Sequence, residues 1–246
     1  MLTSCQPLSF DFSLRDPYIL ISHSAFDQTQ GLDEAGLKRV YADASFRQAF
    51  RANLASPKSG VLFLGNWALI ELGTAATDKW QPFNGQNLAQ IASSVGRDPL
   101  DVFFDMALDE GLDTHFVGKF FNNNDEGVAP LLRHEAGVIT LSDAGAHLIY
   151  MCDAGFGLHL LAHWVRDKGV FSLSEGIRRL TSHPAERFRI PDRWSLLQGA
   201  PADLLLFDPQ TVGISGLRKV SDLPSGGSRM VREPLGVHGV WVNGTM

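Results

Sequence analysis

Apolar and polar positions along the chain follow the short period of strands in some segments and the longer period of helices in others. Residues 7–12 alternate between apolar and polar side chains, which predicts a strand, and a β-branched run at 18–21 predicts a second one. Continuous apolar runs that stop at Gly, Asn or Ser-Asp are typical of buried strands. Such runs occur at 61–65, 116–121 and 137–141.

Segments with helical spacing of apolar residues lie between these strands. From 32 to 54 the apolar residues recur every three or four positions, Asp33 stands where an N-cap is expected, and Pro57 lies beyond the end. Residues 73–87 contain Gly and Pro among polar and aromatic side chains and predict a loop. Further helices are predicted at 88–92, 98–111, 125–134, 156–168 and 173–188.

The order of strand, polar loop, helix and strand predicts an α/β fold, built from βα units on a parallel sheet. After residue 190, Pro and Gly interrupt the chain, and strand-like segments follow at 202–208 and 237–242. We therefore predict two domains, a βα domain at 1–194 and a small β-rich module at 195–246.

Composition narrows the functional classes. The 246 residues include 27 acidic and 21 basic side chains, which gives a net charge of −6 without a basic run. This argues against a nucleic-acid partner, because binding to phosphates needs clustered Lys and Arg. Two cysteines favour a reducing compartment, no signal-peptide pattern is present, and the longest apolar stretch, 61–72, is too short to span a membrane. We expect a cytoplasmic protein without a membrane partner.

Polar residues that directly follow apolar strands are the first candidates for chemistry, because ligands of parallel βα folds gather at the carboxyl ends of the strands. Asp143 follows the strand at 137–141, and His147 comes four residues later on a turn of small residues. Asp143 can bind a divalent metal or act as a general base on metal-bound water. It can equally cap the turn by accepting backbone N–H bonds. His147 is either a ligand or a hydrogen-bonding residue of the turn.

Two further candidates belong to the strand at 116–121 and its end. Lys119 is either an anchor for a substrate carboxylate or an ion-paired lysine of the sheet. Asn122 opens a run of three Asn residues and either contacts a substrate or forms a turn. His183 and Cys152 are interpreted as structural residues.

Several segments match a known family in order along the chain. These are LSDAGAHL at 141–148, LTSHPAE at 180–186, and GAPADLLLFD at 199–208 followed by VWVNG at 240–244. The first resembles the last-strand motif of the amidohydrolase superfamily, within the branch of the D-aminoacylases (N-acyl-D-amino-acid deacylases). The others resemble the helix after that motif and the C-terminal β-module of the same branch.

The resemblance implies an α/β fold that is the C-terminal part of a metal-dependent-hydrolase (β/α)₈ barrel with a small β-sandwich module. It implies a hydrolase of non-peptide C–N bonds that uses zinc and acts on an N-acyl amino acid or a related amide. In that family the strand-end aspartate, matched by Asp143, binds the metal and shuttles the proton. His147 matches a histidine of the motif, and we take His147, Lys119 and Asn122 as candidates for substrate binding.

The chain also departs from the family pattern. Family members carry a His-x-His motif and further metal-binding residues that have no counterpart here, and a catalytic zinc needs about three protein ligands. We therefore expect a C-terminal portion that is inactive alone and is completed by the missing N-terminal half or by a homo-oligomer. A non-catalytic remnant or partner subunit is one alternative. An amidohydrolase of cyclic amides is another, because residues 148–156 contain no Arg or Lys to hold a carboxylate.

Overall fold

In the computed structural model, which describes residues 1–140, 142 and 146–246, the chain forms two compact units. The terminal unit comprises Met1–Leu8, Phe121–Leu148 and Cys152–Met246, and the central unit comprises Ser9–Phe120 and Ile149–Met151. The predicted boundary between residues 194 and 195 stays a prediction.

The chain mixes helices and strands, as predicted. The strands are β1 (Leu2–Thr3), β2 (Leu8–Phe12), β3 (Ile70–Thr74), β4 (His115–Phe121), β5 (Val138–Ile139), β6 (Leu204–Phe207), β7 (Gly213–Ile214), β8 (Arg218–Val220), β9 (Arg229–Val231), β10 (Pro234–Leu235) and β11 (Val237–Trp241). The helices are α1 (Glu34–Ala42), α2 (Ala44–Ala55), α3 (Leu88–Val95), α4 (Pro99–Asp109), α5 (Asp125–Arg133), α6 (Phe156–His159), α7 (Leu173–Leu180) and α8 (Ser182–Phe188). A π-helical segment (Leu160–Asp167) continues α6, and 3₁₀ helices lie at Ser24–Thr29, Trp67–Leu69, Gln81–Phe83 and Pro224–Gly226. No helix in the described ranges is long and apolar enough to cross a membrane.

The central unit contains a three-stranded sheet in the order β2-β4-β3. Strands β3 and β4 are antiparallel, with Ile70 opposite Gly118 and Glu71 opposite Val117. The predicted parallel sheet was wrong for this three-stranded sheet, because β3 pairs with β4 in the antiparallel direction. Successive side chains of a strand point to opposite faces. The sheet therefore has one face that carries Ile70 and another that carries Glu71.

The first of these faces packs on an aromatic core. The ring centroids of Phe12 and Phe116 are 5.6 Å apart, and those of Phe103 and Phe116 are 4.7 Å apart. Tilted ring contacts at these distances add to the free energy gained by burying the rings. Other aromatic residues of this core that are at most 1% exposed are Phe26, Tyr41, Phe46, Phe50, Phe63 and Phe104.

Local capping sets the ends of α3 and α4. The Asn87 side chain accepts from the Gln90 N–H while the Gln90 side chain accepts from the Asn87 N–H, which is a capping box. Gly96 ends α3 in the left-handed region, and Asp98 caps α4, which begins at Pro99. These signals are local in sequence, and the two predicted helices are confirmed.

The terminal unit contains short paired strands. Strands β1 and β5 are parallel, with Leu2 opposite Val138. Strands β6 and β11 are antiparallel, with Leu204 opposite Trp241, so the two strand-like segments predicted near the C-terminus pair with each other. The pairs β7–β10 and β8–β9 are also antiparallel.

A buried guanidinium fixes the turn that leads into β5. Arg179, which is 2% exposed, donates to the carboxylates of Glu175 and Glu135 at 2.7 and 2.8 Å. It also donates to the carbonyl oxygens of Arg133 and His134, at the end of α5, at 2.8 and 3.2 Å. Because a buried charge is costly unless it is paired and hydrogen-bonded, all of these acceptors stabilise Arg179 in place.

Two strand predictions were wrong. Residues 18–20 form a turn in which the Leu20 N–H donates to the Pro17 carbonyl at 2.7 Å. Residues 61–65 are irregular, because only Phe63 of this run is fully buried, while Leu62 and Leu64 are exposed. The strand next to β4 is instead β3, which sequence patterning missed.

Two predicted helices are divided in the structure. The segment 32–54 forms α1 and α2, separated at Asp43, whose side chain accepts from the Ser45 N–H at 2.6 Å. The segment 173–188 forms α7 and α8, separated at Thr181. In both cases the apolar spacing continues across the break, and only the first break carries a side-chain cap.

The Arg179 contacts predict a large loss of stability on Arg179→Met. The substitution removes a buried donor that bonds two carboxylates and two carbonyl oxygens at once, and we expect the free energy of unfolding to fall by about 2 kcal/mol. Arg178→Met is the matched control, because Arg178 pairs with the same two carboxylates at 36% exposure and should cost less than about 1 kcal/mol. Urea unfolding of both variants measures the difference, and equal losses would contradict the role given to Arg179.

The lowered pKa of Glu175 predicts a contribution to the free energy of unfolding that is lost in acid. The hydrogen bond from Arg178, reinforced by Arg179 and opposed by burial, lowers the pKa of Glu175 from 4.5 to about 2. Because the folded-state pKa is depressed, this contribution is present above about pH 4.5 and is lost as the pH falls towards 2. Glu175→Gln should flatten the dependence of unfolding free energy on pH in this window, whereas Glu126→Gln, at an exposed position, should leave it unchanged.

Candidate functional site

The structure pairs Lys119 with an acidic residue of the neighbouring strand. Its ammonium group contacts the Glu71 carboxylate, and both side chains are about one-third exposed. Glu71 lies opposite Val117, two residues from Lys119 on β4, so both charged groups occupy the same face of the sheet. Of the two predicted roles, the ion-paired lysine describes the contact that is present, and a role in substrate binding stays a prediction.

A second hydrogen-bonded side-chain pair, which sequence patterning missed, lies on the same face. Nδ1 of His115 is 2.9 Å from Oδ1 of Asp11, with Asp11 on β2 and His115 at the start of β4. The Asp11 side chain is 6% exposed and the His115 side chain 29% exposed. An ionised carboxylate only accepts hydrogen bonds, so Nδ1 carries the proton when the imidazole is neutral. The Nε2 lone pair is then the acceptor that His115 offers.

Tyrosine side chains pack beside Asp11. The Tyr18 hydroxyl donates to the Asp11 carbonyl at 3.1 Å, and the ring centroids of Tyr18 and Tyr150 are 4.6 Å apart. Burial, with the charges of Tyr150, Asp11 and Asp16, raises the pKa of Tyr18 well above its usual range. Tyr18 therefore remains a protonated donor, and the backbone of Asp11 is held from both sides by Tyr18 and by the Tyr150 carbonyl, 2.8 Å from the Asp11 N–H.

The polar face of the sheet, meaning Asp11, His115, Glu71 and Lys119, follows from strand alternation. Asp11 stands between Phe10 and Phe12, and a search for polar residues at alternate positions within predicted strands would have found it. The pairing of Asp11 with His115 had no local signal, since the two residues are 104 positions apart.

Asn122 and His147, two more of the predicted site residues, belong to the terminal unit. Asn122 follows β4 at the surface, at a bend of the chain with φ 53°, a left-handed conformation that Asn tolerates. Its role in substrate binding stays a prediction. His147 is exposed and also has a positive φ, 50°. Asp143, the predicted metal ligand and proton shuttle, lies outside the described residues.

The described residues bring together no group of three or more His, Cys, Asp or Glu side chains that would hold a metal ion. Taken alone they do not fit a catalytic zinc site, which needs about three protein ligands.

Other titratable residues have structural partners. His183, 1% exposed, has Nε2 3.0 Å from the Glu135 carbonyl, next to the Arg179 contacts. Burial raises the pKa of the Cys5 thiol to about 12, so this thiol stays protonated and unreactive at neutral pH.

A second Asp–His pair lies in the terminal unit and has the opposite geometry. Nε2 of His163, in the π-helical segment, is 3.0 and 3.1 Å from the two carboxylate oxygens of Asp125, which also pairs with Lys168 at 2.8 Å. Burial opposes ionisation of Asp125, but the hydrogen bonds from Lys168 and His163 outweigh it and hold the pKa of Asp125 below its usual range. Here the proton of the neutral ring lies on Nε2.

Comparison with known proteins finds no matching family model. An uncharacterized protein of Mycobacterium tuberculosis (strain H37Rv) is 30% identical over 183 residues, which cover 72% of this chain and 29% of that protein. The D-aminoacylase of Alcaligenes xylosoxydans is 33% identical over 85 residues, or 35% of this chain and 16% of the enzyme. The crystal structure of a D-aminoacylase aligns with 75% of this chain and 35% of its own length, at 24% identity and a TM-score of 0.40.

The resemblance to the D-aminoacylases that the motifs indicated is thus confirmed. The matched part of the chain spans under a third of the length of the relatives named here from sequence.

The two Asp–His pairs predict opposite neutral tautomers. Nitrogen-15 NMR of the histidine-labelled chain should show the proton on Nδ1 of His115 and on Nε2 of His163. Asp11→Asn should remove the Nδ1 preference of His115 because an amide can donate as well as accept, and His163 should not change. A neutral His115 protonated on Nε2 in the wild-type chain would contradict this geometry.

Proposed function

Because this chain is similar in sequence to the D-aminoacylases of the amidohydrolase superfamily, we propose that it is part of a metal-dependent hydrolase of non-peptide C–N bonds. The observation that carries the proposal is the 33% identity to a D-aminoacylase over 85 residues. The proposed substrate is an N-acyl amino acid or a related amide. The proposed architecture is the C-terminal part of a (β/α)₈ barrel with the β-rich module at 195–246.

Asp143 is the proposed metal ligand and proton shuttle, and zinc is the proposed metal. Both assignments rest on the family motif at 141–148, and the described residues do not complete the ligand set. We propose that further polypeptide, corresponding to the rest of the relatives' length, supplies the missing ligands.

Three other side chains are proposed to contact the substrate. Lys119 offers an ammonium group on the polar face of the central sheet, and a substrate carboxylate would compete there with Glu71. Asn122 and His147 are surface residues of the terminal unit that can donate or accept hydrogen bonds.

A non-catalytic subunit is the second candidate function. What favours it is that the described residues lack a group of three metal-binding side chains. A chain of this kind would keep the fold of the family and would bind no zinc.

Zinc content separates the two candidates. The chain should be analysed by elemental mass spectrometry, alone and with any polypeptide that co-purifies with it. The proposal predicts about one zinc per chain in the complete assembly and its loss on Asp143→Ala, with hydrolysis of N-acetyl-D-leucine lost in parallel. Asp78→Ala, at an exposed acidic residue of the central unit, should retain both. A metal-free assembly that Asp143→Ala leaves unchanged would overturn the hydrolase proposal and support the non-catalytic one.

A further inference from the structure

His115 combines an oriented ring with an accessible basic nitrogen. Asp11, almost fully buried on β2, fixes the Nδ1 side of the ring at 2.9 Å. Nε2 makes no hydrogen bond to any residue that the structure describes, and the side chain is 29% exposed. A carboxylate behind one ring nitrogen is how proteins hold a histidine whose other nitrogen meets a ligand, because it sets both the tautomer and the ring orientation.

Lys119 lies four residues further along the same strand and on the same face. Four residues of an extended strand span about 13 Å. The four-carbon stem of lysine can cover part of this distance. An oriented hydrogen-bond acceptor and an ion-paired cation therefore lie on the same face of the sheet.

Two neighbouring groups reinforce this division of roles. Glu71 contacts the Lys119 ammonium group, and a ligand anion would compete with it there. Tyr18 and Tyr150 hold the backbone of Asp11, so the carboxylate behind His115 does not move with the ligand.

We propose that His115 and Lys119 recognise the amino-acid half of an N-acyl amino acid, with Nε2 of His115 accepting the amide N–H and the Lys119 ammonium group holding the carboxylate. Asp11 is the positioning residue of this site. The inference rests on the proposed function for its ligand class and adds a specificity-determining residue, His115, to it.

The test is a binding titration on the full chain, followed by nitrogen-15 NMR of labelled histidine, with N-acetyl-D-leucine as the probe. The Nε2 resonance of His115 should shift on binding. Two analogues separate the contacts: N-acetyl-D-proline lacks the amide N–H, and the primary amide of N-acetyl-D-leucine lacks the carboxylate. Each should bind about tenfold more weakly, the loss expected for one such hydrogen bond or ion pair.

Variants assign the contacts to residues. His115→Phe should weaken binding of N-acetyl-D-leucine about tenfold and leave binding of N-acetyl-D-proline unchanged. Lys119→Met should weaken binding of both carboxylate ligands about tenfold and leave binding of the primary amide unchanged. Asp11→Asn should lose the Nδ1 tautomer and weaken binding, and Asp11→Glu should restore part of both. His238→Phe, at an exposed histidine of the terminal unit, is the control and should bind as the wild type does.

The outcomes distinguish this inference from the proposed function. A Nε2 resonance that stays fixed at saturating N-acetyl-D-leucine, or equal affinities of wild type and His115→Phe, would overturn the inference even if the zinc-loaded assembly hydrolyses amides. Binding that depends on His115 in an assembly that holds no zinc would support the inference and overturn the hydrolase proposal alone.

Discussion

The alternation of side chains along β4 is the constraint on which the central unit depends. Phe116 packs in the aromatic core, whereas His115 and Lys119 lie on the opposite face of the sheet. A strand allows this because neighbouring side chains point to opposite faces. Phe120 folds over Gly118, whose missing Cβ leaves space that any other residue would fill. A shift of register by one residue would bury both polar side chains and expose the rings, so the packing of the aromatic core also determines which residues form the polar face.

In the terminal unit the corresponding constraint is electrostatic. The Arg179 guanidinium joins α7 to the end of α5 and to the turn before β5, and its burial leaves it no water to replace a lost acceptor. The strand that this network leads into is the one that precedes the motif at 141–148. The same few hydrogen bonds therefore stabilise the turn that leads into β5.

Particular residues show which features of the fold could be predicted from the sequence and which could not. The ends of α3 and α4 were predictable because Asn87, Gly96 and Asp98 act within a few positions of themselves. The break at Asp43 could not be predicted, because the apolar spacing continues across the cap. The strand at Ile70–Thr74 could not be predicted either, because a short strand becomes recognisable only when its neighbour is known. Lys119 was predicted as a candidate with two alternative roles. Asp11 and His115 were missed because neither residue lies in a recognisable motif, and only their contact in the fold marks them as a pair.

By itself the sequence determined the mixture of helices and strands, several helix caps and the resemblance to the D-aminoacylases, since all three reside in short segments or in their order. The tertiary structure alone decided that Lys119 faces Glu71, that Asp11 orients His115 and that Arg179 is buried among four acceptors. These contacts join residues from 4 to 104 positions apart, and the longest of them exist only because sheet register and core packing bring distant segments together. Local sequence patterns therefore indicate which side chains each segment carries, and the tertiary structure determines which of those side chains are in contact.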